Sequence, residues 1–207
     1  MSSGFKLVYL NFRGRAELIR YIFAQAEQKY EDCRIVPEKW PEFRSTTPLG
    51  IVPILELDGG VVFSGNANIA AYLAEKYGLS GDTAERRAET GSVVEAVEES
   101  WQRLSDFFWE QDKGRKESLL TMLMSFHLPL TLTKLEKICA ANNSPDGWIV
   151  GSKVTYADLA VSVFLAAVCG HKPDVLDKFP LLAKLKHAVE SLPRIKAWME
   201  ERPETVF

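Results

Sequence analysis

No two cysteines of this chain lie close together. Cys33, Cys139 and Cys169 are odd in number, far apart and without a Cys-x-x-Cys spacing. That argues against a disulfide framework or a cysteine zinc site and fits a reducing compartment. His127, His171 and His187 form no local metal-ligand pattern, so no metal requirement is expected. Positive charge is not in excess either: the net charge is −3, which disfavours a nucleic-acid partner. Long hydrophobic runs are missing. The greasiest segment, 159–169, contains Ser162 and is too short to span a bilayer. The first residues show no secretory apolar region followed by a cleavage site. There are no internal repeats and no low-complexity segment. The expectation is a cytoplasmic protein without a membrane span. What is present is 207 residues with 46% hydrophobic content, enough for one large or two small domains with real cores.

The chain is organised around residues 5–17. Phe-Lys-Leu-Val-Tyr-Leu at 5–10 reads as a short buried strand. Asn11 and Gly14 break it, and 16–26 reads as a helix. Ile19, Phe23 and Ala26 recur at i, i+4 and i+7, with Leu18 and Ile22 beside them. Arg13 and Arg15 fall where the positive end of the helix dipole lies, an unfavourable place for a cation. An anion held there removes the conflict, and Tyr9 at the strand's end faces the same spot. The alternative is a core tyrosine with two solvated arginines.

A second strand is expected at 30–36, parallel to the first through a right-handed crossover. Residues 37–49 form a polar loop holding Trp40, Phe43, Arg44 and Pro48. Trp40 either covers the core or aims its one N–H at a ligand acceptor. Residues 51–57 form the next strand. Pro53 belongs at its start or at an edge, and a cis Val52–Pro53 bond exposes the Val52 backbone for other pairing. Asp58-Gly59-Gly60 is a hairpin turn, 61–63 returns antiparallel, and 67–77 is a helix with Asn66 as N-cap and Gly78 as its stop. The order β-α-β, loop, β-β-α, with a proline inside the sheet, reads as a thioredoxin-like α+β domain over 1–79. Its crevice is expected where Tyr9, the Val52-Pro53 turn and the start of the Asn66 helix converge.

Past a junction at 78–83 the strand signals vanish, and 84–207 reads as an all-α helical bundle. A long helix spans 84–109. Glu95, Glu98 and Glu99 share one face of it, either as a solvated acidic surface or facing a cationic partner. A second long helix spans 113–141, kinked at Pro129. Residues 144–147 turn the chain. Thr155-Tyr-Ala-Asp158 opens the next helix as a capping box, with Asp in place of Glu. That helix is apolar nearly all round and should be the axis of its domain. Helices at 181–191 and 193–201 follow, Pro193 opening the last.

Three segments, Tyr9-Leu-Asn-Phe-Arg-Gly-Arg-Ala-Glu17, Pro48-Leu-Gly-Ile-Val-Pro-Ile-Leu-Glu-Leu-Asp-Gly59 and Val154-Thr-Tyr-Ala-Asp158, resemble the cytosolic glutathione transferases. The first is similar to the sigma class in particular, which includes detoxifying transferases, glutathione-dependent prostaglandin D synthases and catalytically poor lens crystallins. The resemblance covers nearly the whole chain and implies glutathione as co-substrate, an apolar small molecule as second substrate and a homodimer. It implies that Tyr9 hydrogen-bonds the glutathione sulfur, with Arg15 adding positive charge. It further implies that Trp40 and Arg44 hold the glycine carboxylate end and that Val52, next to Pro53, pairs its backbone with the cysteinyl part. Glu99 would reach the γ-glutamyl ammonium across the dimer interface.

Three features depart from the family pattern, one of them an extra glycine at 59–60 that shifts the hairpin loop. Gly65-Asn66 stands where the family usually has Gln-Ser, the pair that holds the γ-glutamyl carboxylate. Ile51 stands where many sigma members carry lysine or glutamine at the glycine end. Each lost hydrogen bond to a charged group costs about 1.5–3 kcal/mol, so two losses weaken glutathione binding by roughly a hundred-fold or more. The implied second-substrate lining is Leu10, Gly14, Trp101, Ala160, Phe164 and Phe207; for Ala160 and Phe164 a plain core role is an equal alternative. The expected function is conjugation or isomerisation of apolar electrophiles. The alternative is a catalytically weak or inactive relative with a structural or apolar-ligand-binding role.

Overall fold

The computed structural model describes residues 4–205. Phe207, expected in the second-substrate pocket, lies outside them. The chain divides into two compact units, residues 1–79 with 191–207, and residues 80–190.

The first unit is built on a four-stranded sheet in the order β2-β1-β3-β4. Strand β1 (Phe5–Leu10) pairs in parallel with β2 (Glu31–Ile35) and antiparallel with β3 (Ile54–Leu57); β3 pairs antiparallel with β4 (Val62–Ser64). The parallel pair is joined through α1 (Glu17–Gln25), as the strand–helix–strand pattern requires. A short helix α2 (Trp40–Arg44) lies in the segment expected as loop, and α3 (Asn66–Lys76) closes the βαβ–ββα order. This is the thioredoxin-like α+β fold that the sequence implied. The Val52–Pro53 bond is cis. Strand β3 starts at Ile54, so the proline sits just before the ladder, where its missing donor is not needed.

Two local expectations are corrected. Asn66 is the first helical residue of α3, and Gly65 is the N-cap, with φ 90° and no side-chain cap. The left-handed region is open to glycine at little cost, so backbone geometry takes precedence over the usual capping preference. In α1, residues 17 to 23 are all buried, Glu17 and Arg20 among them, so the helix is covered far beyond a single apolar face. The cover comes from α3 and from α9 (Pro193–Glu201), which packs on α1. That packing is why 191–207, expected with the helical domain, groups with the first unit. Trp198 Nε1 and Arg202 Nη1 both donate to Glu17 Oε1, at 2.9 and 2.8 Å.

The second unit is all helical: α4 (Ala84–Trp109), α5 (Lys113–Met122), α6 (Leu128–Asn142), α7 (Tyr156–His171) and α8 (Pro180–Glu190). The helix expected over 113–141 is interrupted by a π-helical stretch, Leu123–His127, just before Pro129. A proline ring clashes with the carbonyl four residues earlier, and a local widening of the helix relieves that clash. Helix α7 is the axis, as its apolar sequence implied: Tyr156 through Leu165 and Val168 are buried, and α4 and α8 pack against it.

The start of α7 is held by Asp158, which is fully buried. It accepts hydrogen bonds from the backbone N–H groups of Ile149 and Thr155, both at 2.7 Å, and from the Thr155 hydroxyl at 2.8 Å. Burial pushes its carboxyl up to about 6 from 3.8, against the downward pull of those donors. The folded group therefore holds its proton more tightly than the unfolded chain does. Its contribution to stability is fullest below the unfolded value and is lost as pH rises through about 6. Between about pH 5 and about pH 7.5, denaturant unfolding should show wild type losing about 1 kcal/mol relative to Asp158→Asn. A stability difference that does not change with pH would refute this.

Candidate functional site

Tyr9 stands at the end of β1, opposite Arg34 of β2 in the parallel register. It is half-buried, and it packs with Phe12, Trp40, Phe43 and Val52 on a cluster of Val8, Leu10, Ile35 and Ile54. Its hydroxyl points to the loop between β1 and α1. A Cβ built on Gly14 would lie 2.8 Å from the Tyr9 oxygen. The hydroxyl thus rests against the glycine backbone at the mouth of α1, while the ring packs on the apolar cluster. Arg13 and Arg15 are half-buried and not simply solvated. Arg13 Nη2 donates to the carbonyl of Thr205 at 3.4 Å.

Beneath this loop lies a charge cluster that sequence reasoning missed. Arg20 has no exposed surface. Its guanidinium lies 6.0 Å from the centre of the Tyr9 ring. Its Nη1 donates to the carbonyls of Phe12 and Arg13, at 2.9 and 3.2 Å, and to Glu17 Oε2 at 3.1 Å. Nε and Nη2 donate to Asp32, which also accepts from Arg34 Nε at 2.8 Å. A buried arginine needs all its donors occupied, and only the folded loop, helix and β2 together supply the acceptors. The signal in the sequence was Glu17-x-x-Arg20, an i,i+3 ion pair set among Leu18, Ile19, Ile22 and Phe23.

A second group gathers around the cis bond. Gly65 N–H donates to the Pro53 carbonyl at 3.0 Å. A Cβ on Gly65 would come within 3.9 Å of Ile51 Cδ1. Ile51 is 43% exposed and Pro53 buried. Asn66 is buried at the first position of α3. Arg44 is exposed and donates from Nε to the Gly50 carbonyl at 3.1 Å. The Trp40 ring is half-buried against the same apolar cluster as Tyr9 and Val52, so it does cover the core. The structure thus brings Tyr9, Leu10, Trp40 and Val52 into one apolar cluster, with Gly14 against the Tyr9 hydroxyl and Ile51, Pro53, Gly65 and Asn66 along the neighbouring stretch.

The remaining candidates belong to the helical unit. Glu99 is exposed on α4 and pairs with Arg103 of the same helix at 2.5 Å. Trp101, Ala160 and Phe164 are buried, the two rings edge-on at 5.8 Å. Phe164 also lines a cavity of ≈ 10 Å³, about the space of one water-sized sphere. These residues are core of the helical unit. Among the described residues no three His, Cys, Asp or Glu side chains converge as metal ligands.

Gly14 is the position most sensitive to a single added carbon. Its φ is +44°, and the new Cβ would press on the Tyr9 hydroxyl. Left-handed backbone costs a non-glycine residue about 1–2 kcal/mol before any clash. Gly14→Ala should therefore lower stability by about 2 kcal/mol or more in denaturant unfolding. An unchanged midpoint would show that the loop yields freely.

Comparison with known proteins identifies the family. Residues 15–82 match the glutathione S-transferase N-terminal domain, and residues 98–202 match the glutathione S-transferase C-terminal domain. The hematopoietic prostaglandin D synthase of Gallus gallus is 38% identical over 204 residues, 98% of each chain. Glutathione S-transferase S1 of Drosophila melanogaster is 34% identical, over 97% of this chain and 80% of its own. The solved structure of prostaglandin synthase D from Nilaparvata lugens superposes with a TM-score of 0.89 at 31% identity, covering 97% of this chain and 99% of that one. The matched domains span most of the sequence and the relatives align along its full length, so this chain belongs to the glutathione S-transferase family.

Proposed function

We propose that this protein is a catalytically active transferase, which holds the thiol of glutathione as thiolate between the Tyr9 hydroxyl and the Arg15 guanidinium and directs it at apolar electrophiles. The observation that carries the reading is the Tyr9 hydroxyl lying on Gly14 at the mouth of α1. A free thiol titrates near 8.5, so only a few per cent is thiolate at neutral pH. A phenol donating to sulfur, with a guanidinium nearby, favours the charged form. Lowering the thiol pKa by about two units is worth about 2.7 kcal/mol and raises the thiolate fraction roughly twenty-fold. The thiolate then attacks the electrophilic atom. It either displaces a leaving group or, in an isomerisation, is expelled again after the substrate has rearranged. The relatives' names include prostaglandin D synthases, so prostaglandin D synthase activity is one special case within this proposal, beside detoxifying conjugation.

For the rest of the tripeptide, the Val52 backbone is proposed to pair with the cysteinyl part. Trp40 and Arg44 would take the glycine carboxylate, with Asn66 and the Gly65 backbone at the γ-glutamyl carboxylate. The proposed assembly is a homodimer in a cytoplasmic setting, in which Glu99 of one copy meets the γ-glutamyl ammonium bound by the other. Glu99 is suited to this by its exposed carboxylate. A second reading, a catalytically weak relative with a structural or apolar-ligand role, draws on the exposed Ile51 and the side-chain-free Gly65.

Turnover of an aryl halide with glutathione separates the two readings. Tyr9→Phe keeps the ring and removes the donor. Its kcat/KM at neutral pH should fall about ten-fold, with the pH–rate midpoint moving up toward the free-thiol value. No turnover in wild type, or an unchanged rate in the variant, would overturn the catalytic proposal. Calorimetry tests the glycine end. Ile51→Lys restores a charged donor and should tighten glutathione about ten-fold; an unchanged Kd would remove Ile51 from the site.

A further inference from the structure

The cluster beneath Tyr9 does more than satisfy a buried arginine. Glu17 stands at its centre with both oxygens engaged on opposite sides. Oε2 accepts from Arg20, and Oε1 accepts from Trp198 and Arg202 of α9 and the residue that follows it. Arg20 in turn holds the carbonyls of Phe12 and Arg13, the two residues immediately before Gly14. An unbroken chain of charged hydrogen bonds thus runs from the C-terminal segment to the backbone on which the Tyr9 hydroxyl rests. Arg13 closes the circuit at its other end through the carbonyl of Thr205. The groups facing Glu17 and Arg20 include Asp32 and Arg34 from β2, the phenol of Tyr30 just before it, Trp198 and Arg202 from the C-terminal segment, and the Tyr9 ring from β1. Tyr21, on α1, meets the Arg202 guanidinium as well.

We propose that Arg202 is a positioning residue for the Tyr9 site, acting through Glu17 and Arg20 to fix the loop 11–15 that carries Gly14 and Arg15. The proposal rests on the catalytic reading above for its effect on activity, though the mechanical link does not. The physical argument is geometric. Glu17 has 3% of its side chain exposed, so water does not replace a lost partner. With Arg202 gone, the carboxylate loses a charged donor at Oε1 and rebalances toward Arg20. Arg20 then shifts against the Phe12 and Arg13 carbonyls, and the loop moves under the phenol. A displacement of about 1 Å at a catalytic donor is enough to cost a large part of its effect.

The test uses the full chain with Arg202→Met, which keeps the aliphatic stem, and Arg202→Lys, which keeps the charge. Two readouts go beyond stability. The first is the pH midpoint of the glutathione thiolate, followed by its ultraviolet absorbance. It should rise by about one unit in Arg202→Met, a ten-fold loss of thiolate below the midpoint, and return most of the way in Arg202→Lys. The second is amide hydrogen exchange. Residues 12–15 should exchange about ten-fold faster in Arg202→Met while β1 is unchanged. A variant that melts earlier yet keeps both the thiolate midpoint and the loop exchange would reduce Arg202 to a staple for α9 and overturn the proposal. Wild type without any thiolate signal would instead sink the catalytic reading. Loop exchange would then decide the link by itself, unchanged exchange overturning it.

Discussion

The first unit depends on one buried arginine. Arg20 offers five donors in a fixed fork and lies where no water reaches it, so the fold must deliver acceptors from several directions at once. They come from the loop carbonyls of Phe12 and Arg13, from Glu17 one turn earlier on the same helix, and from Asp32 on the neighbouring strand. An uncompensated charge at that depth costs several kcal/mol. The strand, the loop, the helix and the C-terminal segment are therefore not independent pieces. Each supplies a partner whose absence leaves a charge unpaired.

This arrangement bears on the proposed chemistry. A thiolate-stabilising site needs a donor and a positive charge held still at a helix mouth, because freedom in either dilutes the electrostatic gain. The loop 11–15 has no regular secondary structure to stiffen it. Its stiffness comes instead from Arg20 below, from the N–H of Asn11 on the Ile35 carbonyl at 2.8 Å, and from Gly14 in a conformation that favours glycine. Gly14 also lets the phenol oxygen approach the backbone more closely than any side chain would permit.

The helical unit follows a different logic. Its order is set by apolar burial around α7, with a buried carboxyl at Asp158 that ties the start of the helix to the preceding turn through Ile149 and Thr155. A carboxylate placed there substitutes for the backbone acceptors that a helix start lacks. The same unit carries Trp101, Ala160 and Phe164 as tightly packed core. A wider concavity of ≈ 550 Å³ lies elsewhere in it, and includes none of the residues expected from the sequence.

By itself the sequence determined the β-α-β then β-β-α order of the first unit, a cis-compatible proline at 53, the capping box at Thr155-Asp158 and the family, because each is a local pattern with a local physical cause. Turn glycines, strand alternation and helix caps act over a few residues and are legible as such. Tertiary structure alone decided that α9 belongs with α1, that Glu17 and Arg20 are buried, and that the Tyr9 hydroxyl meets Gly14. These rest on partners as far apart as Glu17 and Arg202. A charged residue in a helix reads as solvent-facing until the fold brings its counter-charge from elsewhere in the chain, and no periodicity of neighbouring residues encodes that meeting.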